Sequence, residues 1–229
     1  MESERFSMKS EGVEIPSIPS DYDDLVPIIN LRKDIEEVDE NLNIFKKGSN
    51  ILDIGSGTGY FTNYANKKGC KVEGIDVDAN NIKKAKNLYP DIDFKEGSGL
   101  ELRDEDKYDM VFCNMVICNI EGEEKLSLFL KNIHKSLKQA GNLFLSNADI
   151  KENFKEGDIL KHAMLSDSSE GSPIQVSLLR ADGNFTAPWK NYIWTKQKII
   201  SLLEETGFKK ISFQHFSKME DYYYIIATK

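Results

Sequence analysis

The amino-acid sequence predicts an α/β fold built on a parallel sheet, and two observations carry that prediction. From Asn50 onward, short apolar runs of strand type alternate with stretches of helical spacing, the pattern of βαβ units with right-handed crossovers. The first such run empties into the glycine-rich turn Gly55-Ser56-Gly57-Thr58-Gly59, from which a helix starts at about Tyr60.

Residues 1 to about 20 are polar, carry Pro16 and Pro19, and read as a loose arm. A weakly amphipathic, acid-rich stretch from about Leu25 to Phe45 reads as a helix with few apolar residues to hold it down, and hence as a lid. NILDI is the first strand, and Phe61, Tyr64 and Ala65 share one face of the helix that follows, ending at Gly69. KVEGI is the next strand. Asp78 is placed to cap a helix whose face carries Ile82, Ala85 and Tyr89. DIDF, YDMVFC and NLFLS read as further strands, and the helix before NLFLS is the clearest in the chain, with Leu126, Phe129, Leu130, Ile133 and Leu137 on one stripe. Beyond Asn147 the texture loosens. The Ser/Gly cluster LSDSSEGSP and the turn signal Asp182-Gly183 suggest a small hairpin inserted within 151–195. A last helix around Ile199, Leu202 and Leu203 stops at Gly207, and two strands, about 209–216 and 222–228, close the chain. The organisation expected is an arm and lid helix over 1–45 and a main domain over 46–229.

Composition limits what such a chain does. Of 229 residues, 40% are apolar and 30% charged, which suits a packed core. Thirty basic against 38 acidic residues give a net charge of −8, without the basic footprint of a DNA-binding protein or of one that sits on anionic membranes. The longest unbroken apolar run, Tyr222 to Ala227, is far short of the roughly 20 residues that cross a bilayer. The opening MESERFSMKSEG lacks the apolar segment of a secretory signal, and Cys70, Cys113 and Cys118 form no CxxC pair. Together these predict a cytoplasmic protein with no metal site.

The informative stretch is ILDIGSGTGYFTNYANKKGCKVEGIDVD. Glycines serve where backbone turns sharply and approaches a ligand, and the helix start beyond them offers unpaired N–H groups. Asp76 ends the second strand about 20 residues beyond the first glycine, where a carboxylate accepts both ribose hydroxyls of a nucleoside. Asp53, two residues before Gly55, separates the candidate ligands. A carboxylate there repels the pyrophosphate of a dinucleotide but favours S-adenosylmethionine, which has no phosphate and carries an ammonium and a sulfonium.

Asp53-Ile54-Gly55-Ser56-Gly57-Thr58-Gly59 and Gly74-Ile75-Asp76-Val77-Asp78, with YDMVFCNMVICNI and LKQAGNLFLS, make the chain resemble the seven-stranded, Rossmann-like S-adenosylmethionine-dependent methyltransferases. The resemblance implies a doubly wound, mostly parallel seven-stranded sheet with an antiparallel last strand, and S-adenosylmethionine as cofactor. It covers about 30 to 150 well, 195 to 229 more weakly, and neither 1–20 nor 151–190. It assigns Asp53, Gly55, Ser56, Gly57 and Gly59 to the methionine part, Asp76 to the ribose, Val77 to the adenine, and the backbone oxygen of Asn114 to the ammonium. Where the family often has Gly-Asp-Ala, this chain has Gly97-Ser98-Gly99, so Ser98 and Gly99 replace the acidic adenine contact. Arg32 lies where some relatives clamp the cofactor carboxylate; the alternative is a solvated helix charge.

The resemblance leaves the acceptor open. Tyr22, Asn119, Trp189, Tyr192 and Trp194 are the candidates for a small-molecule pocket, although the aromatic residues would serve equally as a cover for the core. Tyr22, Asn119 and His162 are the catalytic candidates. Asn119 is no base at neutral pH, and His162 in a polar stretch reads more readily as a surface residue. The leading reading is methyl transfer to an oxygen, nitrogen or carbon of a small molecule, in which alignment supplies much of the acceleration. A tRNA or protein substrate is the first rival, disfavoured because Asn114-Met115-Val116-Ile117 lacks the Pro-Pro-aromatic signature of base-flipping enzymes. A non-catalytic nucleoside-binding subunit and a nicotinamide oxidoreductase are the others.

Overall fold

Apolar runs buried on both faces produce the central sheet of the computed structural model, which describes residues 9–10, 13–14, 25–149, 160–164, 170–186, 189–219 and 221–229. Its strands are Asn50–Ile54 (β1), Lys71–Asp76 (β2), Asp93–Glu96 (β3), Tyr108–Asn114 (β4), Leu137–Ala148 (β5), Lys209–His215 (β9) and Tyr222–Thr228 (β10). The order across the sheet is β9-β10-β5-β4-β1-β2-β3. Neighbours among β1 to β5 pair parallel; β10 pairs antiparallel with both β5 and β9 and is the one reversed strand, as the resemblance implied. The chain steps outward from β1 through β2 to β3, then returns to β4 on the other side. The crevice at that reversal, outside the carboxyl ends of β1 and β4, is where open α/β sheets bind ligands.

The helices are Val26–Leu42 (α1), Tyr60–Lys67 (α2), Ala79–Leu88 (α3), Glu123–Ser136 (α4) and Lys196–Thr206 (α5). Local chemistry sets their ends: Asp78 caps α3 by accepting from Asn80 N at 2.8 Å, and α5 closes on left-handed Gly207. Alternate residues of each strand feed two cores. Ile51, Phe112 and Phe144 pack with α1 and α2; Leu52, Ile54, Val111, Leu143 and Leu145 pack with α4 and α5. Phe112, Phe144 and Tyr224 stack across three adjacent strands at 5.0 and 5.5 Å between ring centres.

The structure corrects three expectations. First, α1 is a core helix rather than a weakly held lid. Leu25, Ile28, Leu31 and Ile35 turn into the first core, and Leu31 and Ile35 are 0% exposed. Such burial stabilises by about 1.5–3 kcal/mol per side chain, so the boundary at residue 45 divides no core. Second, the insertion is a three-stranded antiparallel sheet. Pro173–Leu178 (β7) and Trp189–Tyr192 (β8) form the hairpin around Asp182-Gly183, and Leu160–Met164 (β6) adds to the other edge of β7. His162 therefore stands in a strand, opposite Val176, not in an irregular stretch. Third, β5 begins directly at the end of α4, so that Leu137, expected on the helical stripe, is its first residue, and a register shift and left-handed Ala140 interrupt the strand before Asn142. Tyr22 and the arm around it lie outside the described residues. Among the described residues no helix is long and apolar enough to cross a membrane, and no group of His, Cys, Asp and Glu is placed to hold a metal ion.

Candidate cofactor and acceptor site

The glycine loop continues β1 and is tied to β2 from below, with Gly55 N and Ser56 N both donating to Ile75 O at 2.8 and 2.9 Å. Two of its glycines answer different needs. Gly55 has φ +72°, and a Cβ there would overlap Val116 Cγ2, so packing requires it. Gly57 has φ +55°, but a Cβ there would meet no atom of the described residues within 4 Å. Its bare backbone borders open space at the mouth of the crevice, and no side chain explains the absence of one.

Beneath this open edge lie two buried carboxylates. Asp76 accepts from Gly57 N and Asp78 N, each at 2.8 Å, so it braces the loop while keeping further lone pairs. Burial raises its pKa, and those two N–H groups pull it back. Asp53 is 4% exposed and accepts from Thr62 Oγ1 on α2 at 2.7 Å. That hydrogen bond holds the carboxyl behind the loop, among Phe61, Ala65 and Phe112. Burial pushes its pKa up to about 7; the Thr62 hydroxyl opposes the rise and the Asp76 charge adds to it. Ser56 Oγ is buried and has no hydrogen-bond partner among the described residues.

A carboxyl whose folded pKa lies above its unfolded one stabilises the fold below the unfolded value and loses that contribution as pH rises through the folded value. For Asp53 that window runs from about 4 to about 7. Asp53→Asn is accordingly expected to gain thermal stability over the parent as pH is raised from 5 to 8. Melting temperatures of both proteins across that range check this; a constant difference between them overturns it.

Arg32 comes to the loop from α1. Its guanidinium lies over the Tyr60 ring, 4.2 Å from the centre, at the first residue of α2, and Tyr60 OH donates to Glu36 Oε1 at 2.6 Å. A cation thus stands beside the loop rather than out in solvent. Val77 follows Asp76, half-buried. Ser98 Oγ accepts from Leu100 N at 3.2 Å, capping the 3-10 turn Gly99–Glu101, which Gly97 N fastens to Asp76 O at 3.0 Å. Gly99 is there for packing, because a Cβ would overlap the Phe129 ring. At the end of β4, the Asn114 amide oxygen accepts from Ser146 Oγ, and Met115 turns away with φ +57°.

On the acceptor side, Asn119 ends the 3-10 turn Ile117–Asn119, its Nδ2 donating to Met115 O at 3.2 Å. The aromatic residues lie in the cores. Trp189 packs with α1, while Tyr192 and Trp194 join the second core, where Trp194 Nε1 donates to Ile120 O at 3.1 Å. All three are buried, so the open aromatic slot expected from them is not formed by the described residues. The side chain of His162 and all of Tyr22 lie outside the described residues. Sequence reasoning missed Thr62, Asn191 and Tyr222. Asn191 Nδ2 donates to Cys118 O at 3.1 Å across 73 positions of chain, and no local pattern signals that contact.

Residues 30–212 match a family model described as a methyltransferase domain. The chain belongs to that family. Its sheet is that of the Rossmann-like, S-adenosylmethionine-dependent class I methyltransferases. The methyltransferase chain is 34% identical over 104 residues to a ubiquinone biosynthesis O-methyltransferase of Pelagibacter ubique, covering 44% of this chain and 42% of that one. It is 29% identical over 138 residues to a ribosomal protein L11 methyltransferase of Nitratiruptor, covering 59% and 47%. It therefore spans less than half the length of these curated relatives. Among solved structures, CalS10 of Micromonospora echinaspora, an amino pentose methyltransferase with S-adenosylmethionine bound, superposes with TM-score 0.64 at 16% identity, over 86% of this chain and 90% of that one.

Proposed function

We propose that this methyltransferase domain moves the methyl group of S-adenosylmethionine to an oxygen, nitrogen or carbon of a small molecule. The observation that carries the reading is the open backbone edge at Gly57, braced by Asp76 and backed by the buried carboxyl of Asp53. Such an edge admits a ligand closely, favours a cationic one and disfavours a phosphate. The residues suit the cofactor. Asp76 keeps lone pairs for the ribose hydroxyls, Val77 offers an apolar contact for adenine, and Ser98 and Gly99 leave adenine recognition to backbone. Gly55, Ser56 and Gly59 shape the loop, with Ser56 Oγ in want of a partner. The Asn114 carbonyl would take the ammonium, and Arg32, stacked on Tyr60, the carboxylate.

When bound, S-adenosylmethionine supplies a methyl group already activated by the sulfonium. What remains for the protein is alignment and exclusion of water. The buried ends of β4 and β5 and the insertion sheet exclude water, and Asn119, held by Met115 O, offers a fixed polar group beside them. No base is assigned, which suits an acceptor that needs to lose no proton before attack. A small acceptor fits the relatives named as a ubiquinone biosynthesis O-methyltransferase and an amino pentose methyltransferase, and the net charge of −8 fits poorly with tRNA.

Calorimetry with S-adenosylmethionine, S-adenosylhomocysteine and NAD tests the cofactor half. Micromolar affinity for the first two and none for NAD is expected, and preference for NAD overturns it.

A further inference from the structure

Two enclosed polar oxygens on the first core's side of the sheet have no hydrogen-bond partner among the described residues. They are Tyr222 OH and Asn191 Oδ1, on residues 1% and 6% exposed. Buried polar groups are ordinarily satisfied, so each calls for an explanation. Their placement supplies one. Tyr222 opens β10 opposite Ala148, the last residue of β5, and so stands at the end of the sheet where β4 and β5 terminate. Trp189 and Asn191 are two apart in β8 and share the face that joins the core containing Tyr222. Cys118 links the two. Its carbonyl accepts from Asn191, and its thiol adds to the rise that burial gives the pKa of the Tyr222 hydroxyl.

The chemistry of the unmet atoms is defined at Asn191. Cys118 O only accepts, so the nitrogen of Asn191 must face it and the free atom must be the amide oxygen, an acceptor. Tyr222 OH both donates and accepts. A ligand that satisfies them brings at least one N–H or O–H.

We infer that Tyr222 and Asn191 are the groups that orient the methyl acceptor, and that the acceptor presents a hydroxyl or amino group to them. The inference rests on the small-molecule reading above and deepens it. Methylation of a hydroxyl there, its proton leaving to solvent, would remove the donor that Asn191 recognises, so such a substrate is held in preference to its methylated product; a primary amine would keep one N–H.

The test uses the full chain loaded with S-adenosylhomocysteine and a fragment set in which each hydroxyl or amino compound is paired with its O- or N-methylated match, titrated by protein NMR. Unmethylated members are expected to perturb Cys118, Asn191 and Tyr222, and Tyr222→Phe to weaken them at least about fivefold. The same variant should melt at the parental temperature or above, because an unpartnered hydroxyl contributes nothing to the fold. Equal binding of the O-methylated partners, unchanged affinities in Tyr222→Phe, or a destabilised Tyr222→Phe each overturns the assignment, the last by showing a hydroxyl that water already satisfies. Asn191→Asp, which keeps the shape, is the second variant and should weaken the same fragments. Failure of the parent chain to bind S-adenosylhomocysteine defeats the underlying reading. Intact cofactor binding with every fragment seated elsewhere defeats this inference alone.

Discussion

Asp76→Ala is expected to lower affinity for S-adenosylhomocysteine at least about tenfold. A charge-assisted hydrogen bond to a ribose hydroxyl is worth roughly 1.5–3 kcal/mol, and about 1.4 kcal/mol is a factor of ten. The structure adds a second loss. The alanine leaves Gly57 N and Asp78 N, each now bonded to the carboxylate at 2.8 Å, without their acceptor. The glycine loop should loosen, and the variant should melt lower as well as bind worse. Asp76→Asn separates the two effects, because its amide oxygen still accepts from one of these N–H groups while the charge is gone. Calorimetry well below the melting temperature of each variant checks the order parent, Asn, Ala. Parental affinity in a folded Asp76→Ala overturns the ribose assignment.

Gly57→Val and Gly55→Ala should fail in opposite ways. At Gly57 a side chain enters space that no atom of the described residues borders within 4 Å of the new Cβ, so the new methyl groups exclude the cofactor. The left-handed φ of +55° costs the valine variant about 1–2 kcal/mol of fold stability, a modest loss. At Gly55 even one methyl group overlaps Val116, and the φ of +72° adds strain, so alanine there should unfold the protein at markedly lower temperature. Thermal melts paired with S-adenosylhomocysteine titration distinguish the two. A Gly57→Val protein that binds normally would show that the open edge is not where the cofactor lies.

The parts of this molecule that sequence reveals are those in which local chemistry and tertiary placement agree. Strand β1, its glycine turn and the Asp78 cap sit in consecutive residues, and the stripe Leu126 to Ile133 points to the only side on which α4 packs. Helix α1 misleads because Asp34, Glu36, Glu37, Asp39 and Glu40 dilute a stripe of four well-buried residues. Asp39 is itself buried and structural, accepting from Phe45 N at 2.8 Å and pairing with Lys68 at 2.9 Å. Such partners lie outside any window of sequence. The candidate site divides in the same way. Asp76 and Gly57 were legible from spacing, whereas the Asn191 contact with Cys118 and the unmet hydroxyl of Tyr222 exist only once distant segments meet.

The shared core between α1 and the insertion sheet bears on how substrate preference can change in this chain. Leu25 and Ile28 pack in one cluster with Ile174, Val176, Leu178 and Trp189, and Leu25 bridges to Arg180 through backbone. The segment that roofs the acceptor side is thus not a detachable module. Grafting another enzyme's insertion onto this scaffold would leave the inner face of α1 mismatched, and a chimaera should recover stability only when residues 25–35 are exchanged with it. Divergence toward new acceptors has to proceed through paired changes in two stretches far apart in the chain.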